Sequence, residues 1–216
     1  MTHQVHPGSS LTSGVLAVVM ALLLALVAGC SEAEQELSDT EHNAADVDFA
    51  HHMVPHHAQA LALVDLLRDR NVSPDLVALG EQMRDTQTDE IEQFADWLDE
   101  WDEPVPPTMR DHVHAGHGPG RPSDALEEME RGGHGPTGGA GMLTAEEFRA
   151  IEDAPDDASF ARLWLEAMIA HHDGALEMAE TEVAEGRHRP SVELAESIAT
   201  GQRAEVATMR EMLDSL

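Results

Sequence analysis

The chain contains no lysine and only one cysteine, Cys30. A lone thiol excludes any disulfide within the chain. All basic residues are arginines, 12 of them against 42 acidic residues, and the formal net charge is −30. Because binding to phosphates requires a basic surface, this balance disfavours nucleic acid as a partner. Alternating runs of β-branched residues are also missing, which disfavours a β-sheet fold.

One long apolar run is present, at residues 15–28, and it ends just before Gly29 and Cys30. The run is shorter than a membrane-spanning helix, which needs about 20 residues. Small residues directly before a cysteine are typical of a lipoprotein signal. We therefore interpret residues 1–29 as a signal peptide and Cys30 as a lipid-bearing N-terminus, with an uncleaved anchor helix as the alternative. In both cases the folded part is tethered to the cell membrane and lies outside the cytoplasm.

A duplicated motif organises the rest of the chain. Met-x-x-His-His-x-x-Ala-Leu occurs at residues 53–61 and again at 168–176. The same offset carries Gln87 onto Gln202 and Glu90 onto Glu205. Because the chemically unusual positions are retained while their surroundings differ, we expect the two copies to build one shared site.

Helical periodicity predicts an all-α, ferritin-like four-helix bundle made of two helical hairpins. Four long helices are predicted. The first begins near Asp46 or Asp48 and ends near Arg70, and the other three cover about 74–101, 157–185 and 190–216. Shorter helices are predicted around 124–131 and after the capping box of Thr144 and Glu147. The predicted organisation is a flexible acidic tether (30–45) and one bundle domain (46–216), which comprises repeat one (46–102), a linker rich in His, Gly and Pro (103–142) and repeat two (143–216).

The apolar helix faces carry polar residues. On a helical wheel His56 lies near the middle of the first apolar face, with His52 and His57 at its edges, and Pro55 is expected to kink or loosen that helix. Glu90 and Glu205 interrupt the faces of the second and fourth helices. A buried carboxylate costs several kcal/mol unless it is paired or binds something.

These residues together predict a metal site. In a helix, residues three or four positions apart share a face, so each Met and a following His can bind one ion. Thioether and imidazole ligands favour copper, especially Cu(I), over magnesium or calcium. The predicted ligands are Met53, His56, His57, Met168, His171, His172 and Met178. Supporting or alternative ligands are His52, Gln87, Glu90, Gln202 and Glu205, whose carboxylates either orient the imidazoles or bind a harder metal.

The motif Met-x-x-His-His-x-x-Ala-Leu-x-Met, followed by Gln-x-x-Glu, resembles the bacterial domain of unknown function, family 305. The stretch Gly141-Met142-Leu143-Thr144 resembles the usual lead-in of that family, and the resemblance covers nearly all of residues 46–216. It implies a ferritin-like fold, export and, in some members, copper binding through Met and His. The first copy departs from the pattern at Leu63, the counterpart of Met178, and at His52, which implies an asymmetric site richer in histidine.

The leading hypothesis is a membrane-tethered extracytoplasmic protein that binds or buffers copper and has no catalytic activity of its own. A ferritin-like metalloenzyme that performs metal redox chemistry is the alternative, although neither copy has the Glu-x-x-His motif of diiron bundles. A surface interaction module without metal is the third possibility, in which the His and Glu side chains only satisfy one another. The linker histidines either bind metal loosely or have no such role.

Overall fold

The computed structural model describes residues 1–3, 36–110, 120–132 and 139–216. The chain separates into two units, residues 1–35 and 36–216, and the fold described below is that of the second. The predicted lipidation site at Cys30 and nearly all of the predicted signal peptide lie outside the described residues, as do His112, His114, His117 and His134. Within the described part of the chain, no helix is both long enough and apolar enough to cross a membrane.

The predicted all-α bundle is confirmed. Its long helices are α1 (Ala44–Asp65), α2 (Pro74–Glu100), α5 (Asp157–Glu185) and α6 (Arg189–Asp214). Two short helices precede the second hairpin, α3 (Pro122–Arg131) and α4 (Ala145–Glu152), and a 3₁₀ turn at Leu66–Asp69 follows α1. The described residues form no β-strand, only an isolated bridge between Ser38 and His188.

The bundle consists of two hairpins that meet through their first helices. Helix α1 packs against α2, α5 packs against α6, and α1 packs against α5. The indole N–H of Trp164 in α5 donates a hydrogen bond of 2.8 Å to the carbonyl of Leu63 in α1. In the first hairpin Gly80 allows a close helix approach, because a Cβ there would lie 2.5 Å from a methyl carbon of Leu67. Because the two copies of the motif are on α1 and α5, a site that they share must lie at the contact between these helices.

Helix α1 begins earlier than the sequence predicted. Asn43 is its N-cap, and its side chain accepts hydrogen bonds from the backbone N–H groups of Ala45 and Asp46. Asp46 completes a capping box by accepting the Asn43 N–H at 2.6 Å. The prediction that Asp46 or Asp48 caps the helix was therefore wrong, because Asp46 serves as the third helical residue of the box. Helix α1 continues through Pro55.

The tether and the linker are both packed to a greater extent than predicted. Ser38 exchanges backbone hydrogen bonds of 2.8 Å with Arg187 and Arg189, so this part of the predicted tether is held against the turn between α5 and α6. In the linker Met109, Leu126 and Met129 are buried in the core, at 3%, 1% and 7% exposure. Because α3 packs against α4, the linker adds to the hydrophobic core and does not merely connect the hairpins.

Candidate metal centre

The two copies of the motif meet at a pair of histidines. His56 in α1 and His171 in α5 occupy equivalent positions, and their ring centroids lie 3.7 Å apart with the planes tilted by 35°. Both side chains are buried, at 0% and 1% exposure. The packing of α1 against α5 thus brings together two residues that are far apart in the sequence, as the duplication predicted.

Both imidazoles of this pair are held neutral. Burial lowers the pKa of His56 and of His171 well below the ordinary 6.5, and the neighbouring histidines lower both further. A neutral imidazole has a lone pair on one ring nitrogen. The Nε2 atom of His56 lies 3.2 Å from the carbonyl oxygen of Ala140. Since a carbonyl only accepts, Nε2–H is the donor, and the lone pair of His56 is on Nδ1.

A second pair of histidines lies beside the first, each against a carboxylate of the neighbouring helix. Nε2 of His57 lies 2.7 Å from Oε2 of Glu90, and Nε2 of His172 lies 2.8 Å from Oε2 of Glu205. The His172 contact is an aligned hydrogen bond, whereas the His57 contact has the distance but not the alignment of one. Each glutamate thus lies against an imidazole, and its role, to orient that ring or to bind a harder metal itself, stays a prediction.

Several buried polar atoms of the core have no hydrogen-bond partner among the described residues. Within the described part of the chain, each of these histidines has a buried ring nitrogen without a hydrogen-bond partner: His56 Nδ1, His171 Nε2, His172 Nδ1 and, in His57, both Nδ1 and Nε2. The Oε1 atoms of Gln87 and Gln202 are also buried without a hydrogen-bond partner among the described residues. Each unsatisfied buried group costs about 1–3 kcal/mol. A metal ion that accepts the lone pairs of these nitrogens would fit them.

The methionines are placed differently from the histidines. Met53 and Met168 are fully buried but belong to two separate apolar clusters, Met53 with Phe49 and Phe94, and Met168 with Leu63 and Trp164. Met178 and His52 line a cleft at the edge of the bundle. The structure thus divides the predicted ligands into a histidine core, two buried thioethers within apolar packing, and an outer His–Met pair.

No three His, Cys, Asp or Glu side chains of the described residues converge on a single point suited to an ion. The donor set is instead a group of buried imidazole nitrogens with thioethers one turn away along the same helices. Such a set fits a soft ion of low coordination number better than a hard ion that needs many oxygen ligands.

The sequence analysis missed the residues that cover the histidine pair. We call residues Gly139–Gly141 the strap. Just beyond the strap, Leu143 is held by Gln59, whose amide donates to the Leu143 carbonyl at 2.9 Å and accepts its N–H at 2.7 Å. At Gly174, a Cβ would lie 1.9 Å from the carbonyl oxygen of Ala140. Gly174 was a usable signal, because glycine inside a helix costs about 1 kcal/mol and suggests a close approach.

Comparison with known proteins places this arrangement in a family. The sequence model described as domain of unknown function DUF305 matches residues 46–213. A DUF305 fragment from Deinococcus radiodurans has 25% sequence identity and a TM-score of 0.60, covering 81% of this chain and 98% of that chain. A DUF305 protein from Streptomyces coelicolor has 25% identity and a TM-score of 0.62, covering 79% of this chain and 93% of that chain.

Two structures of CopM are similar in fold. The Cu(I)-bound form has 20% identity and a TM-score of 0.57, and the Cu(II)-bound form has 23% identity and a TM-score of 0.58. Each match covers 79% of this chain and 96% of the CopM chain. The search of curated proteins found no significant match.

Proposed function

Since the chain belongs to the DUF305 family, we propose that it is an extracytoplasmic copper-binding protein that buffers or carries the metal in its bundle core. One observation carries the proposal, namely the buried and unpartnered ring nitrogens of His56, His57, His171 and His172. These histidines lie where the two copies of the motif face each other. A protein that only buffers an ion needs such ligands and no substrate pocket.

Copper is favoured by the chemistry of the donors. Met53 and Met168 each lie one turn before the first histidine of their motif, so a thioether accompanies the imidazoles on each helix. Imidazole and thioether together select Cu(I) over hard cations. CopM, whose fold is similar, is known with both Cu(I) and Cu(II) bound, which supports copper as the metal here.

The charge of the core suits a cation. Moving an ion into a dry interior is costly unless opposite charge lies near it. Glu90 and Glu205 supply carboxylates at the outer side of the histidine core, each within 2.8 Å of an imidazole nitrogen. Through these histidines the carboxylates raise the basicity of the ligand nitrogens and offset the charge of the bound ion.

The proposal includes a location outside the cytoplasm. Cleavage before Cys30 and lipidation of that residue would attach the bundle to the membrane. With a formal net charge of −30 the protein would also concentrate cations around itself. Mass spectrometry of the protein from its native membrane fraction tests this location, since cleavage before Cys30 and an added lipid mass are expected.

A competition titration tests copper binding. Anaerobic Cu(I) is distributed between the purified protein and a chromophoric chelator, with Zn(II) and Fe(II) in parallel. We expect tight Cu(I) binding that weakens by orders of magnitude in His56→Ala/His171→Ala. His51→Ala, on the same helix but away from the core, is the control and should bind as the parent does. Unchanged affinity in the double variant would refute the core site, and Fe(II) binding alone, with oxygen consumption, would replace the proposal by the metalloenzyme.

A further inference from the structure

A cleft of about 220 Å³ opens at one edge of the bundle, between α1 and α5. His52 and Asp48 line it from α1, and Met178, Glu182 and Glu185 line it from α5. Gly139, the first residue of the strap, also lines it. The histidine core does not include any of these residues, so the cleft calls for its own explanation.

His52 is prepared to bind an ion through one defined nitrogen. Its Nδ1 atom lies 2.7 Å from the carbonyl oxygen of Asp48. Because the carbonyl can only accept, Nδ1–H donates, and the lone pair is on Nε2. A backbone carbonyl that fixes the tautomer in this way is the usual partner of a metal-binding histidine.

Met178 brings a thioether to the same cleft. Its sulfur lies 3.0 Å from the position that a Cβ on Gly139 would take, so the sulfur packs directly against the strap. Gly139 has a positive φ of 81° and can adopt this conformation because it has no side chain. The cleft therefore offers one soft sulfur and one borderline nitrogen, a pair that suits Cu(I).

The acidic residues of the cleft favour a cation. Asp48 and Glu185 bring two carboxyl groups to the lining. Carboxylates lining a cleft raise the local concentration of cations and speed their capture.

The ligand residues of the cleft occur in only one of the two copies. The counterparts of His52 and Met178 are Ala167 and Leu63, which carry no metal ligand. Leu63 is fully buried in the apolar core. The asymmetry of the sequence therefore confines the outer His–Met pair to a single side of the histidine core.

The strap connects the cleft to the histidine pair. Gly139 packs on Met178, and the carbonyl of Ala140 accepts the N–H of His56. A Cβ on Gly141 would lie 2.9 Å from the carbonyl oxygen of His171, so this residue lies directly on the second helix. The strap thus runs from Met178 in the cleft, past the imidazole of His56, to the backbone of α5 at His171.

We propose that His52 and Met178 form an outer acceptor site for Cu(I), from which the ion passes under the strap to the His56–His171 pair. This inference rests on the proposed function of the core. The transfer is a ligand exchange: the bonds to His52 Nε2 and Met178 sulfur break as bonds to core nitrogens form. Copper remains Cu(I) throughout, and no electron donor or acceptor is needed.

The first test uses Ag(I), which resembles Cu(I) but does not change its oxidation state. The full chain is labelled with ¹³C at the methionine methyl groups and ¹⁵N in the histidine rings, and Ag(I) is added in portions. We expect the Met178 methyl and His52 Nε2 signals to shift. If the core signals respond while Met178 and His52 stay unchanged, the outer site is refuted and core binding survives. If no signal responds, both proposals fail.

The second test compares the parent with His52→Ala/Met178→Leu, which gives the cleft the residues of its own counterpart. We expect Cu(I) loading of the core, followed by stopped flow, to slow by roughly an order of magnitude, comparable with the loss of a supporting contact at a metal site. The equilibrium affinity of the core should stay unchanged. An unchanged loading rate would refute the outer site, whereas loss of core affinity would place both residues in the core.

Discussion

The two copies of the motif agree at the core and differ at its edges. His56, His57 and Glu90 of the first copy are matched by identical residues in the second, and the structure brings both sets to one place. The neighbouring positions differ. Gln59 holds the end of the linker by two hydrogen bonds, while its counterpart Gly174 lets the linker approach by having no side chain. The comparison shows which positions serve the shared site and which adapt one side of it.

The largest expected effect comes from the matched carboxylates. Glu90→Gln and Glu205→Gln should each weaken Cu(I) binding by about 10–100-fold, as loss of a partner of a metal-binding histidine does. Because only His172 has an aligned hydrogen bond, Glu205→Gln should be the more harmful of the two. The chelator competition used for the parent measures both. Equal binding by the parent and both variants would show that the glutamates do not support the site.

A substitution at Gly174, beneath the strap, tests one of the positions at which the two copies differ. In Gly174→Ala the new methyl group would meet the Ala140 carbonyl, so the strap has to move and the His56 hydrogen bond should be lost. Overpacking of this kind costs about 1–3 kcal/mol, against a gain of about 1 kcal/mol in helix propensity. Urea unfolding followed by circular dichroism measures the net change, and the His56 ¹⁵N spectrum reports the hydrogen bond.

Gly201 in α6 supplies the control for that variant. Apart from the backbone of its own helix, no atom of the described residues lies within 4 Å of a Cβ at this position, so Gly201→Ala should stabilise the protein by about 1 kcal/mol. If Gly174→Ala stabilised the protein equally and retained the His56 hydrogen bond, the strap would not depend on the missing side chain.

The buried carboxyl of Glu182 distinguishes the copies by its pH dependence, since the counterpart is Leu67. Burial, with a further contribution from Asp46, raises the pKa of Glu182 from 4.5 to about 8. Between these values the folded protein keeps a proton that the unfolded chain has lost. Stability should therefore fall as the pH rises from about 4.5 to about 8.

Glu182→Gln should flatten that decline, because the amide does not titrate and can still accept the hydrogen bond from Ser191. Urea midpoints across this pH range compare the two proteins. A decline of the same slope in the variant would assign the pH dependence to other groups. This is the smallest of the expected effects, because the acidic surface also contributes to the slope.

Local patterns in the sequence predicted most of the fold. Apolar periodicity, the Ser73-Pro74 start and the stop at Gly186 are signals carried by neighbouring residues, and the corresponding helix ends were right. The start of α1 was missed because Asn43 and Asp46 cap it jointly, and each is a plausible cap alone. The repeat predicted the His56–His171 contact, since equivalent residues on facing helices meet.

The sequence could not show what covers the core. The hydrogen bond between His56 and Ala140 joins residues 84 positions apart, and no periodic pattern encodes such a contact. The sequence analysis also grouped His52 and Met178 with the core ligands, although the packing of α1 on α5 leaves them in an outer cleft. Angles on a wheel describe one helix and do not show which neighbour covers each face.

The central claim is that imidazole nitrogens of the duplicated motif hold copper in the core. X-ray absorption at the copper edge, on His52→Ala/Met178→Leu loaded with substoichiometric Cu(I), tests it most directly because the outer pair is absent. The account predicts imidazole nitrogen scattering that falls when His56→Ala and His171→Ala are added. Scattering that is unchanged by those two substitutions would contradict it.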